Sequence, residues 1–152
     1  MKSVVLFSSK SGNSGKIADA IASELSCHAV KIDSNSSAST VDLKDYELVF
    51  VGTGIYAGTP NKDLENCLKT ANLGGPKLFA IFVTWGGAGN TCQAVTAKLR
   101  GILEAKGQKV IEDTFCCYGG WKYALLRRGH PNSEDTQAAK KWAKNLVSNL
   151  QK

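Results

Sequence analysis

Three stretches of this chain, Val4-Val5-Leu6-Phe7, Leu48-Val49-Phe50-Val51 and Leu78-Phe79-Ala80-Ile81-Phe82-Val83, are apolar without interruption. A strand with one wet face alternates apolar and polar residues, so unbroken runs predict strands covered on both faces. Each run stops in a short loop of glycines and hydroxyls, and beyond each loop apolar residues recur at intervals of three and four, the period of a helix. Ile17, Ala18, Ile21, Ala22 and Leu25 predict a helix from Gly15 to about Ser26, with Ser14 as its N-cap. Leu64, Cys67, Leu68 and Ala71 predict a second, opened by Pro60 and Asn61; Cys92, Val95, Leu99 and Ile102 predict a third, stopped by Gly107. A fourth carries Ala138, Ala139, Trp142, Leu146 and Leu150, with Ser133 as cap and Glu134 and Asp135 at its positive end. Two further strands are expected at His28 to Ile32 and Lys109 to Cys117. Between the second and third strands, the serine-rich tract Asp33 to Thr40 reads as a surface loop, and Asp42 to Asp45 as a single turn.

Strands that alternate with helices imply right-handed crossovers and a parallel sheet with helices on both faces. The expectation is an α/β fold, a doubly wound five-stranded parallel sheet of order 2-1-3-4-5 in a three-layer sandwich. With 152 residues, 43% of them hydrophobic, the chain suffices for one well-buried domain, taken as residues 1–152. In such sheets ligands bind beyond the carboxyl ends of the strands, where the strand order reverses, here between the first and third strands. The loops after strands one, three and four are the glycine-bearing polar ones.

The first loop, Ser9-Lys10-Ser11-Gly12-Asn13-Ser14, offers three hydroxyls, an amide and a lysine at the start of a helix. Free backbone N–H groups and the positive end of a helix dipole favour an anion there, and neutral donors in a nest can satisfy a phosphomonoester without a buried counter-charge. The spacing is neither Gly-x4-Gly-Lys-[Ser/Thr] nor Gly-x-Gly-x-x-Gly, which argues against nucleoside triphosphate and dinucleotide binding. A turn that merely caps the helix would need only one of these hydroxyls.

An apolar strand followed by Ser9-x-Ser11-Gly12-x-Ser14 resembles the flavodoxin signature, in which a [Thr/Ser]-x-[Thr/Ser]-Gly-x-Thr loop holds the phosphate of FMN; serine replaces the final threonine and keeps the hydroxyl. The resemblance extends through the strand and helix order over nearly the whole chain, at the length of the short-chain flavodoxins, and implies the flavodoxin-like fold with FMN as cofactor. It implies further that the second loop (Thr53, Gly54, Ile55, Tyr56, Ala57, Gly58) lays Tyr56 over one flavin face. The third (Thr84, Trp85, Gly86, Gly87, Gly89, Asn90) would supply backbone donors to the pyrimidine edge. A flat aromatic cofactor suits such a frame of aromatic plates and amide donors. For the outer face Trp85, Tyr118 and Trp121 are candidates. In many flavodoxins a glycine follows the stacking aromatic and its peptide turns over as the flavin is reduced; here Ala57 stands there with Gly58 next. A positive φ at alanine would cost about 1 kcal/mol.

The implied role is an electron carrier between redox proteins, cytoplasmic and monomeric, without nucleic-acid or membrane partners. The alternative is a small FMN-dependent reductase using NAD(P)H on a quinone or another small acceptor, with Arg127, Arg128 and His130 as candidates for binding an anionic substrate. A flavin-free receiver-type module is disfavoured, since no phosphoacceptor aspartate follows strands one or three. No apolar run approaches a membrane span, and Met1-Lys2 passes directly into a strand. The five cysteines (Cys27, Cys67, Cys92, Cys116, Cys117) are odd in number and lack metal spacing, and read as buried or free thiols. Cys116 and Cys117 cannot both face inward on one strand, so one is expected at the surface, where a redox role is the alternative reading.

The formal charge of +6 points to partners with an acidic docking surface. None of the three loops contains Asp or Glu, while Lys10, Lys16 and Lys62 lie in or beside them. Fewer carboxylates and more cations favour an anionic reduced flavin, with each contribution held small by solvent screening. A potentiometric titration is therefore expected to give a less negative potential for full reduction than in acidic flavodoxins; an equal or lower value would refute the electrostatic argument.

Overall fold

The computed structural model describes residues 1–36, 41–87, 90–120 and 127–152. In chain order the elements are β1 (Ser3–Ser8), α1 (Asn13–Leu25), β2 (His28–Lys31), β3 (Leu48–Tyr56), β4 (Thr59–Pro60), α2 (Lys62–Thr70), β5 (Leu78–Trp85), α3 (Thr91–Ala105), β6 (Lys109–Val110), β7 (Phe115–Tyr118) and α4 (Ser133–Leu150). The parallel ladder runs β2-β1-β3-β5-β6, with β7 also on β5, which is the expected order 2-1-3-4-5 with its last strand in two pieces. Register is continuous through the middle of the sheet: Ser8 pairs with Thr53, and Gly54 with Thr84. The carboxyl ends of β1, β3 and β5 therefore emerge side by side.

The unbroken apolar runs serve two cores. Val4, Leu6, Val49, Val51, Phe79, Ile81 and Val83 face α2 and α3 through Leu64, Leu68, Val95 and Leu99; Val5, Leu48, Phe50, Ala80 and Phe82 face α1 and α4 through Ile17, Ile21, Ala139 and Ala143. Successive residues thus point to opposite layers, and neither layer is wet.

At Gly52 this packing closes completely. The Phe82 ring, cross-strand on β5, lies where a side chain at Gly52 would be: a Cβ there would stand 1.9 Å from Phe82 Cζ. The glycine is the seat of the phenylalanine.

Several boundaries differ from the sequence expectation. β3 runs on to Tyr56 and turns back through β4, so Pro60 belongs to a hairpin and pairs with Ile55, while Asn61 alone caps α2 by accepting from Asp63 N–H. α4 is capped by Asn132, which forms a capping box with Asp135, and Ser133 is its first residue. Leu43 and Tyr46 close the turn foreseen near Asp42 to Asp45; of the serine-rich tract, residues 37–40 lie outside the described residues. The strand expected over Lys109 to Cys117 breaks at 111–114, where Glu112 and Asp113 stand in solvent and the Arg100 guanidinium donates to the Val110 and Ile111 carbonyls. Cys92 and Cys116 form a disulfide, which corrects the reading of all five cysteines as thiols; Cys27, Cys67 and Cys117 are free. The signal was absent because sequence spacing cannot show that the start of α3 passes beside β7. Among the described residues no helix is long and apolar enough to cross a membrane.

Gly52→Ala is expected to destabilise the chain by about 3 kcal/mol, since a methyl group must displace a packed ring. In a Phe82→Leu background the same substitution should cost much less, and equal costs in the two backgrounds, read by urea unfolding, would show that the ring is not the obstacle.

Candidate functional site

The edge where β1, β3 and β5 end carries all three polar loops. Ser8 leads from β1 into the first; Gly12, at φ 86°, turns the chain into α1 and occupies the N-cap position. That left-handed conformation favours glycine, and having no side chain it leaves the helix start without a side-chain cap. The expected cap, Ser14, is instead the second residue of the helix. Its hydroxyl is 2.8 Å from Thr84 Oγ1, and both residues are almost inaccessible, at 1% and 4% exposure. This contact ties the first loop to the third. Ser9 Oγ accepts from Gly12 N–H at 3.0 Å and tightens the turn, and Asn13 Nδ2 donates to the Gly120 carbonyl at 3.0 Å. Lys10 and Ser11 remain exposed, and the first turn of α1 contains no acidic side chain. An uncapped helix start leaves its first N–H groups without intrahelical acceptors. With the exposed Ser11 hydroxyl and no acid in the first turn, the donor set fits a dianion such as a phosphomonoester.

The second loop is a hairpin. Ala57 and Gly58 sit at φ 49° and 76°, the pair of positive angles that the tightest β-hairpin turn requires, so alanine already holds the conformation that disfavours it. Tyr56, just before the turn, folds toward the first loop: its hydroxyl accepts from Lys10 N–H at 3.1 Å, and the Lys10 ammonium stands 5.0 Å from its ring centre. Gly54 lies under the phenol, where a Cβ would come within 3.0 Å of the hydroxyl. Thr53, fully buried, accepts from Asn61 N–H and donates to the Gly54 carbonyl, fastening the hairpin to α2. Ile55 is half-buried and packs on the α2–α3 side.

The third loop begins with Thr84 and Trp85 at the end of β5, continues through Gly86 and Gly87, and reaches α3 at Asn90, whose side chain makes no cap bond. Gly89 lies outside the described residues. Trp85 stacks on Tyr118 of β7 with ring centres 5.6 Å apart and planes at 29°. The Arg127 guanidinium covers this pair, 3.8 Å from the Tyr118 centre and 5.5 Å from that of Trp85, and bonds the Gly87 carbonyl. Of the three candidates for an outer plate, the structure thus couples Trp85 with Tyr118, while Trp121 lies outside the described residues.

A fourth wall was not foreseen. Gly119 N–H donates to the Trp85 carbonyl, and a Cβ at Gly119 would fall 2.9 Å from Asn13 Nδ2, so the Gly119-Gly120 pair lets the late loop close against α1. The doublet was visible in the sequence, but nothing local said that it faces Asn13. Cys117 lies beneath on the α1–α4 side; burial, and then the charge of Asp135, push its thiol up to about 12, so it stays protonated. The described residues hold no metal-binding cluster.

Residues 4–131 match a family model described as a flavodoxin domain. An uncharacterised protein of Methanocaldococcus jannaschii is 32% identical over 98% of this chain and 100% of its own length. Among solved structures, a flavodoxin, WrbA-like protein from Agrobacterium tumefaciens superposes with a TM-score of 0.79 at 14% identity, covering 99% of this chain and 97% of that one. A Fusobacterium nucleatum flavodoxin bound to flavin mononucleotide superposes at 0.65 with 14% identity, over 98% and 99%.

The Ser14–Thr84 contact is testable without any ligand. Ser14→Ala or Thr84→Val alone strands a buried hydroxyl or its pocket and should cost about 1–3 kcal/mol, whereas the double variant should fall short of the sum by about 1 kcal/mol. Strict additivity in urea unfolding would mean that the two hydroxyls do not interact.

Proposed function

The chain belongs to the flavodoxin domain family, and from that premise we propose that it binds FMN and carries electrons between redox proteins. The observation that bears most of this reading is the α1 start: a helix of 13 residues left without a side-chain cap, with no acid in its first turn, at the end of β1. The FMN phosphate would be held by the backbone N–H groups of Ser11, Asn13 and Ser14 with the Ser11 hydroxyl. Ser9, Asn13 and Ser14 fix the loop through Gly12, Gly120 and Thr84, so that its donors are oriented before the anion arrives. Thr53 to Gly58 and Thr84 to Asn90 would flank the ring system, Tyr56 on one side, Trp85 and Tyr118 toward the other. Bound there, FMN supplies one- and two-electron chemistry, and the protein supplies position and field.

The charge of +6 fits partners whose docking face is acidic; Lys10, Lys16 and Lys62 lie in or beside the loops in sequence, and Arg127 reaches the third loop at the Gly87 carbonyl. A second reading, a small FMN-dependent reductase acting with NAD(P)H on a quinone or similar acceptor, draws support from the stacked Trp85 and Tyr118 under Arg127, an aromatic and cationic platform for a planar anionic substrate.

Purified protein is expected to be yellow, or to turn so on adding FMN, and to release FMN on denaturation. Riboflavin, which lacks the phosphate, should bind at least about 100-fold more weakly, because two or more charge-assisted bonds are lost. A chain that takes up neither flavin rejects both readings. Steady NAD(P)H oxidation by the loaded protein without a partner would overturn the carrier in favour of the reductase.

A further inference from the structure

From the placement of Cys92 and Cys116 we infer that they form a second two-electron centre, a disulfide opened and closed by an external dithiol that attacks Cys116. The two sulfurs are bonded across 6.8 Å between their Cα atoms, with 24 residues of separation, and they sit in opposite environments. Cys116 is exposed on the edge strand β7; Cys92 is 3% exposed, in the core between β5 and α3. Of the two bonded cysteines, Cys116 is the one exposed to a nucleophile from solvent.

Position also settles which sulfur leaves. Cys92 is the second residue of α3, a helix of 15 residues whose cap residue, Asn90, makes no side-chain bond and whose first turn holds no acid. Attack on Cys116 leaves Cys92 as the departing sulfur, and the N–H groups and dipole of the helix start offset part of the cost that burial puts on a thiolate there. The exchange runs in two steps. A thiolate of the reductant bonds to Cys116 Sγ, the Cys92–Cys116 bond breaks, and its electron pair leaves on Cys92. The second thiolate of the reductant then attacks its own mixed disulfide, closing the reductant's disulfide and releasing Cys116; the two protons shed by the dithiol balance those taken up by the two cysteines. Oxidation is the reverse.

The remaining thiols do not intercept this couple. Cys117 follows Cys116 directly, but it faces the α1–α4 core on the other side of the sheet, and its burial keeps it a thiol. Cys67 lies on α2 and Cys27 after α1, and burial raises both. The pair is therefore isolated as a two-state couple. It is also well placed: α3 begins where the third loop ends, and β7 carries Tyr118, so the bond clamps the two elements that bracket Trp85.

The test uses the full chain, whether or not it carries flavin. The protein is equilibrated in dithiothreitol buffers of graded oxidised-to-reduced ratio, quenched with acid, and its thiols are alkylated and located by peptide mass. Cys92 and Cys116 should gain and lose label together in one reversible transition, while Cys27, Cys67 and Cys117 show none. With oxidised glutathione as probe, Cys92→Ser should form the mixed disulfide at Cys116 at least about tenfold faster than Cys116→Ser does at Cys92, since access controls attack. Two outcomes overturn the inference: both cysteines remaining labelled in every oxidising buffer, or a pair that opens only in denaturant. Equal glutathione rates in the two variants would overturn the assigned direction of attack.

Discussion

Everything at the loop edge depends on β3 being enclosed, with β1 on one side, β5 on the other and a helical layer on each face. A parallel strand so placed has no free polar group along its length and no route for the chain except over the ends. The crossovers return the chain to the opposite edge, so Ser8 comes out beside Thr53, and Thr84 beside Gly54 one residue further on. Gly52 is where this enclosure is tightest, because the ring of Phe82 replaces the side chain that any other residue would bring. The site is thus a by-product of burial: the middle of the sheet is sealed, and polar groups collect where the seal ends.

The chemistry at that edge relies on side chains that order the backbone more than on side chains that reach outward. Ser9, Asn13 and Thr53 bond backbone groups and Ser14 bonds the Thr84 hydroxyl, and what remains directed at solvent is largely N–H groups, the Ser11 hydroxyl and aromatic faces. Such a surface is neutral within and cationic around, with Lys10 and Arg127 both lying against aromatic rings. Preorganised neutral donors tolerate a dianion without the desolvation cost that a buried ammonium would add.

The sequence made the layers legible because burial on both faces leaves an unmistakable mark, the run without alternation at Leu78 to Val83. The first loop was legible for a similar reason: hydroxyls and glycines between such a run and a helical period have few other uses. What it could not disclose were pairings set by distance in space. Ser14 suits a cap by type, and only the arrival of Thr84 from seventy residues away gives its hydroxyl another partner. Cys92 and Cys116 belong to different elements with different periods, and their approach is decided by how α3 lies on β5. The interruption in the last strand was equally hidden, since Ile111 continues the apolar character of Val110 and only Glu112 and Asp113 hint at a departure.

That interruption has a consequence for how the molecule meets others. On one margin of the sheet β2 is four residues long and ends in Lys31; on the other, β6 and β7 offer two short pieces separated by a break at whose start Arg100 bonds the Val110 and Ile111 carbonyls. Neither margin presents the long flat row of amides and carbonyls onto which a foreign strand can zip. Lateral growth of the sheet is discouraged at both borders, and a visiting protein is left with the loop end and the helical flanks as places to land.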